Sequence, residues 1–321
     1  MTDFEKRILT QLQRGIAITS RPFEEGVVEL MQQAQADGLL RRFGGIFDAR
    51  RLGYKSILCA LDVPEELIEE KAAIISAHPG VTHCYERKPL RGDAHYPNLW
   101  FTLAVLHDEF DSELKSLNAE LRTLNSELGE LPAIRRFKID VVFDLHTVDR
   151  DETFPGNSIS PDISFHKFTE PEKQLVRALD QNLPLVEKPF AAVAEQIGQS
   201  EEWVLATLND WKEQGVLRRI GAILYHREAG FKANAMCVWP VDKNEIPDAG
   251  RRIAARPEVT HCYQRPRLDA FPFDLYAMIH TGSWDETEAL FQEISECCGL
   301  SGGELFASGR EFKKSSMKYF R

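Results

Sequence analysis

The chain lacks any apolar run of the length a membrane-crossing helix needs, about 20 residues. Its opening, Met1-Thr2-Asp3-Phe4-Glu5, has neither the basic nor the apolar stretch of a secretion signal. No Cys-x-x-Cys spacing occurs. Cys59, Cys84, Cys237 and Cys262 stand apart and Cys297-Cys298 are adjacent, which argues against both a zinc site and a disulfide framework. A basic excess is also missing: 39 Lys and Arg face 50 Asp and Glu, for a net charge of -11. That is the reverse of a general nucleic-acid binder's footprint, although local basic patches remain open. The expectation is a soluble cytoplasmic protein with reduced thiols, with no membrane or DNA partner and no metal held by the protein itself.

What the chain does have is a repeat. Arg41-Arg42-Phe43-Gly44-Gly45-Ile46 returns as Arg218-Arg219-Ile220-Gly221-Ala222-Ile223, and Leu52-Gly53-Tyr54-Lys55 as Ala229-Gly230-Phe231-Lys232. Val81-Thr82-His83-Cys84-Tyr85-Glu86-Arg87 returns as Val259-Thr260-His261-Cys262-Tyr263-Gln264-Arg265. A repeat of this length means two copies of one structural unit, hence two clefts that need not do the same work.

Each half opens with a helical stripe: Ile8, Leu9 and Leu12 in the first, Leu175, Val176 and Leu179 in the second. The second half reads as helices over 171–181, 190–197 and 201–214, the last capped by Ser200 and stopped at Gly215. That is a helix-turn-helix, with 218–225 as its wing strand. In the first half Phe23 to Leu40 spans 17 positions where Phe190 to Leu217 spans 27, so the second helix and its turn are expected to be missing. After each wing, strands and helices alternate in the order βαββαβ, the ferredoxin-like split unit. In half one these fall at 55–63, 65–78, 81–88, 99–106, 112–128 and 134–145; half two repeats them from 233 to 312. The expected fold is α+β, a tandem repeat of winged helix-turn-helix plus ferredoxin-like unit. Its domains are a degenerate winged unit at 1–54, an α+β unit at 55–148, a loop linker at 149–169 rich in Asp, Ser, Pro and Gly, a winged unit at 170–232 and an α+β unit at 233–321. The two halves are expected to satisfy each other as a pseudo-dimer or to dimerise further.

This order of units resembles the Lrp/AsnC regulators. More specific strings resemble the siroheme decarboxylase family: Arg-Arg-Phe-Gly-Gly-Ile-Phe-Asp from Arg41, Gly-Val-Thr-His-Cys-Tyr-Glu-Arg from Gly80, Asn98-Leu99-Trp100-Phe101-Thr102, and the segment from Arg310 to Phe320. The resemblance covers nearly the whole chain, with two related subunits fused. It implies a carboxy-lyase that removes carbon dioxide from the acetates on rings C and D of siroheme, giving 12,18-didecarboxysiroheme in haem d1 or alternative haem synthesis. It implies no cofactor beyond the substrate's own iron.

Strict alternation along a strand puts Val81, His83, Tyr85 and Arg87 on one face and Thr82, Cys84, Glu86 and Lys88 on the other, with Val259, His261, Tyr263 and Arg265 repeating the first row. An imidazole moves a proton near neutral pH, a guanidinium holds a carboxylate bidentately, and a phenol offers a flat face and a donor. Together they suit a flat ligand bearing carboxylates. A lone strand histidine more often packs than reacts; its return in the second copy beside a same-face arginine tilts the balance towards a site. His83 and His261 are therefore candidate acid/base groups, with Tyr85 and Tyr263 orienting and Arg87 and Arg265 clamping carboxylates. Cys84 and Cys262 are expected to pack as small apolar groups. Arg91, Arg267, His95, Tyr96, Trp100, Lys313 and Lys314 are candidate substrate-binding residues. Arg41, Arg42, Arg135, Arg136, Lys138, Arg218 and Arg219 are further basic groups that could complete an anion site. Tyr96 and Trp100, with Phe271, Phe273 and Tyr276 in half two, either wall a macrocycle or form core. His95-Tyr96 has no polar counterpart in half two, and Lys313-Lys314-Ser315 none after Asp144-Leu145, so one cleft alone is expected to be fully catalytic. The competing classes are a ligand-responsive DNA-binding regulator and a haem sensor with an axial histidine. Against the regulator, Glu201 and Glu202 stand where a recognition helix needs donors.

Overall fold

The computed structural model describes residues 2–92, 94–122, 127–139, 157–158, 166–224 and 233–320. Half one runs α1 (Asp3–Arg14), α2 (Val27–Ala36), β1 (Leu40–Phe47), β2 (Tyr54–Leu61), α3 (Ile68–Ala77), β3 (Val81–Pro89), β4 (Leu99–Leu106), α4 (Phe110–Leu121), β5 (Gly129–Leu131) and β6 (Arg135–Ile139). After β7 (Asn157–Ser158), half two runs α5 (Glu170–Asp180), α6 (Pro189–Ile197), α7 (Glu201–Glu213), β8 (Leu217–Leu224), β9 (Ala233–Trp239), α8 (Ile246–Ala254), β10 (Val259–Gln264), β11 (Leu275–Thr281), α9 (Trp284–Cys298) and β12 (Glu304–Lys314).

Each half starts with the same local signal. Thr2 and Glu5 form a reciprocal capping box at α1, and Thr169 and Glu172 form one at α5; each satisfies two otherwise orphaned backbone donors. Ser200 accepts from Trp203 N at 3.1 Å to cap α7. Half one passes from α1 to α2 and then β1, with no counterpart of α6 among the described residues. The wings β1 and β8 pair with each other, antiparallel. Each lies against the first helix of the opposite half, and the repeated glycine makes this possible. A Cβ at Gly44 would stand 2.4 Å from the Leu179 carbonyl oxygen, and one at Gly221 2.6 Å from that of Leu12. The winged units thus share one core, in which Leu9, Met31, Phe43, Leu179, Phe190 and Trp211 are buried together.

The α+β units are also exchanged. Half two forms a sheet in the order β12-β9-β11-β10, and half one in the order β5-β2-β4-β3, the ferredoxin-like arrangement in both. The last strands then reach across: β12 continues along β3, and β6 leaves its own unit to pair with β10. Because β5 and β6 are joined by only residues 132–134, the sheets close into a ring through the chain itself. The expected final strand at 134–145 is represented by β6, an additional short strand β5 precedes it and serves the other sheet, and the expected loop linker contributes β7, paired to β6. Residues 123–126, 140–145, 149–156, 159–165, Tyr225 and 229–232 of the sequence reading lie outside the described residues. Helices α3 and α4 cover the outer face of one sheet and α8 and α9 that of the other. Between the inner faces lies an aromatic core of Trp100, Phe271, Phe273, Tyr276 and Phe306.

Candidate active site

The histidine strands are not regular. On β3 the register skips at Thr82: Val81 faces Leu103 and His83 faces Thr102. The same skip occurs on β10 between Val259 and His261. A bulge of this kind puts an extra residue on one strand and re-aims its side chains. Two sequence expectations are corrected by it. Val81 and Val259 pack on the helix side with Cys84 and Cys262, so they do not share the histidine face. Thr82, expected on the opposite face, joins His83. Thr82 Oγ1 lies 2.9 Å from His83 Nδ1, and Thr260 Oγ1 lies 3.0 Å from His261 Nδ1.

In front of His83 is a cavity of about 330 Å³. Its floor is the inner sheet face, where Ser56 of β2 and Thr102 and Ala104 of β4 are small. Arg41 of β1 and Ala49 come from the wing side, and Ser315, Ser316 and Met317 close it from the C-terminal tail. The tail is pinned on both sides of this wall. Ser315 N donates to the Thr82 carbonyl at 2.8 Å, and Phe320 N donates to the Tyr54 hydroxyl at 2.6 Å while Arg177 holds the Phe320 carbonyl. Most residues of the Arg310–Phe320 string have a place. Arg310 binds Glu86, Glu65 and Glu69, Phe312 packs on the helix-side core, Lys314 sits opposite His83 across the strands, and Tyr319 plugs the winged core.

Burial, then the positive charges of Lys314 and Arg41, push the His83 imidazole down to about 4; burial, then Arg265 and Lys138, do the same for His261. Both rings are neutral at pH 7. Burial holds the Tyr85 and Tyr263 phenols protonated. The His83-Tyr85-Arg87 row descends from the cavity into the closed core. Arg87 is 8% exposed, bonds to Ser308 Oγ at 3.2 Å and approaches the Met278 sulfur. Arg265 donates to the Leu131 carbonyl and lies over the Tyr263 ring.

Several expected binding residues are placed elsewhere. Arg87 and Arg265 lie within the sheet–sheet interior and do not line the cavity. Arg91 pairs with Glu288, Arg267 with Asp274 and the exposed His95 with Asp62. Tyr96 and Trp100 belong to the aromatic core, Trp100 donating to the Pro97 carbonyl. Lys313 donates to the Ser76 and His78 carbonyls at 2.7 and 2.8 Å, so it caps the end of α3 on the far face. It also has a counterpart, contrary to expectation. Lys138 sits opposite Cys262 as Lys313 sits opposite Cys84, and it bonds the Arg256 carbonyl just after α8. The copies differ one residue later, where Lys314 faces His83 and the position facing His261 is Ile139. Sequence reasoning missed Ser56, Thr102, Ala104, Ser316 and Met317. Aligning the two halves through their neighbouring strands would have marked the first three, because their counterparts are the larger Asn234, Met278 and His280.

The AsnC-like ligand-binding domain family model matches residues 51–138 and 228–313, and the siroheme decarboxylase NirDL-like helix-turn-helix model matches 172–218. A siroheme decarboxylase of Hydrogenobacter thermophilus is 39% identical, the alignment covering 99% of this chain and 95% of that protein. The siroheme decarboxylase beta subunit of Methanosarcina barkeri is 38% identical over 45% of this chain and 95% of its own length, as a fused pair of subunits would give. The crystal structure of the siroheme decarboxylase NirDL superposes with a TM-score of 0.76 at 34% identity, covering 100% of this chain and 95% of that one; a second structure of it, in complex with an iron-uroporphyrin III analogue, gives 0.75 at the same identity and coverage. With the cavity, the exchanged sheets and both winged units accounted for, this chain belongs to the siroheme decarboxylase family.

Proposed function

We propose that the chain converts siroheme to 12,18-didecarboxysiroheme, removing the two acetate carboxyl groups as carbon dioxide in haem d1 or alternative haem synthesis, and that the His83 cavity is where it does so. The observation that carries this reading is the meeting of a half-buried imidazole, Arg41 and a ring of hydroxyls in one cavity, in a chain whose relative has been solved with an iron-uroporphyrin III analogue. No cofactor beyond the substrate's iron is required, and the cytoplasm is the proposed compartment.

The chemistry follows from the charges. Each step breaks one C–C bond and forms one C–H bond: the acetate loses carbon dioxide, its electron pair passes into the pyrrole, and the remaining carbon takes a proton. Arg41 and Lys314 attract a carboxylate, and together with burial, the larger cause, they keep His83 neutral. A bound carboxylate offsets those charges and favours the imidazolium. When carbon dioxide departs, the negative charge shifts onto the macrocycle and the imidazolium stands beside the carbon that needs its proton. Tyr85 orients as a neutral donor. Arg87, held in the core beneath Tyr85, contributes positive potential to the row.

The test is anaerobic incubation with siroheme and mass spectrometry of the pigment. Loss of two carboxyl groups supports the enzyme. An unchanged pigment with a shifted Soret band favours a haem sensor, and an electrophoretic shift of DNA favours a regulator. The carboxylates Glu201 and Glu202 in the first turn of α7 weigh against the last.

A further inference from the structure

The threonine that precedes each histidine sits in a bulge that both copies keep, and its hydroxyl meets the Nδ1 atom of the ring. Thr82 is buried. A buried hydroxyl must send its one hydrogen to an acceptor. Among the described residues the acceptor within reach of Thr82 Oγ1 is His83 Nδ1, at 2.9 Å. A ring nitrogen that accepts a hydrogen bond carries no proton, so the neutral ring holds its proton on the other nitrogen.

From this geometry we infer that Thr82 is the positioning residue of the site, fixing the resting His83 ring as the Nε2–H tautomer and leaving Nε2–H as the group offered to the substrate. When the ring takes up a second proton it enters at Nδ1, and the threonine hydroxyl turns to accept from it. Delivery to the substrate carbon then leaves from Nε2. The bulge is what makes this possible, since in a regular strand Thr82 would point to the opposite face. Copy two differs in one respect: Thr260 Oγ1 also has the Met278 carbonyl within 3.4 Å. It can donate there while accepting from Nδ1–H, so His261 is not held to a single tautomer.

This inference rests on the proposed decarboxylation for its catalytic meaning, but its first readout does not. In the full chain labelled with 15N-histidine, long-range proton–nitrogen correlations at pH 7 report each ring's tautomer, His83 being assigned by its absence in His83→Asn. The expected result is Nε2–H for His83 in the wild type and in Thr82→Ser, and loss of that single tautomer in Thr82→Val. Turnover of siroheme in Thr82→Val should fall roughly 10- to 100-fold with little change in KM, as expected when a reacting group loses its orientation, and Thr82→Ser should restore it. A wild-type His83 found as Nδ1–H overturns the inference whether or not Thr82→Val folds, and so does a folded Thr82→Val with the wild-type tautomer and rate. A wild type that shows the expected tautomer yet leaves siroheme intact would instead remove the proposed function while the assignment of Thr82 stands.

Discussion

Strand β3, and β10 with the residue that follows it, carry the same His-Tyr-Arg row behind the same bulge, yet the ground before the two histidines is built from different side chains. Before His83 lie Ser56, Thr102 and Ala104; the matching positions before His261 are Asn234, Met278 and His280. On the wing, Arg41 has no ion pair among the described residues. Its counterpart Arg218 is bound 3.0 Å from Asp48, which also holds Arg50 and lies 4.0 Å from Arg136. Burial alone would raise the Asp48 carboxyl, but Arg50 and Arg218 outweigh it and bring it down to about 2. The exchanged strands add a third difference: Tyr85 faces Glu311, and Tyr263 faces Arg136. Duplication supplied two identical reactive rows. What distinguishes them is the room and the uncommitted positive charge around each.

The largest expected effect separates the two imidazoles. His83→Ala should lower turnover about 100- to 10,000-fold, the usual range for losing a positioned acid, with pigment still bound. His261→Ala should lose less than about 10-fold, since a ring outside the reacting centre acts only through the fold. Mass spectrometry of the pigment over time measures both, and equal losses would break the comparison.

Exchanging the floor sharpens it further. Thr102→Met with Ala104→His installs the copy-two side chains before His83. Siroheme binding should weaken at least about 10-fold as the cavity fills, and overpacking should cost about 1 to 3 kcal/mol of stability. The reciprocal Met278→Thr with His280→Ala should leave the rate within a few-fold of wild type. Pigment titration and thermal melts read the two effects separately. Unchanged binding in the filled variant would mean that the macrocycle sits elsewhere.

The two wing arginines should divide in the same way. Arg41→Gln should weaken pigment binding by about 1.5 to 3 kcal/mol, the net value of a hydrogen bond to a charged group, with little change in melting temperature. Asp48→Asn should do the reverse, costing about 1 to 3 kcal/mol of stability by leaving the half-buried Arg50 and Arg218 without their carboxylate while barely changing the affinity. Denaturant unfolding and pigment binding on the two variants would show whether these roles are interchanged.

Much of the fold was legible because local signals and the repeat agree. The Ser200 cap, Gly215 and the short first winged unit all follow from residue chemistry at fixed spacing, whereas the two Thr-x-x-Glu caps, equally local, went unread. The candidate site was legible only in part. His83 and Tyr85 share a face as their spacing suggests, and Lys314 joins them only through the pairing of β12 with β3, but alternation failed at Thr82 because a bulge is a register event between strands, invisible along one of them. Arg87 and Arg265 share the face of their histidines, and nothing local says that this face runs into a closed aromatic core. Lys313 and Arg91 look like anion-binding residues from charge alone, whereas the structure spends one on the end of a helix and the other on Glu288. The C-terminal string is read correctly as special, but its task of walling the cavity of the other half depends on the strand exchange, which no periodicity records.

The smallest effect concerns what the two clefts have in common. Both imidazoles are lowered to about 4 from an ordinary value near 6.5. Between those values the unfolded chain binds protons that the folded chain refuses, so folding stability falls as pH drops from about 6.5 towards 4 and is unaffected by these groups above that window. Each ring should contribute at most about 1.4 kcal/mol per pH unit, and less where water reaches it. His261→Gln and His83→Gln should each flatten the acid side of the stability curve, measured by denaturant unfolding from pH 7 to pH 4.5. The flattening should be greater for His261, which faces Met278 where His83 faces the cavity beside Thr102. If His83→Gln alone flattened the curve, the more enclosed ring would be the one at His83, and the assignment of the open cleft to half one would have to be reversed.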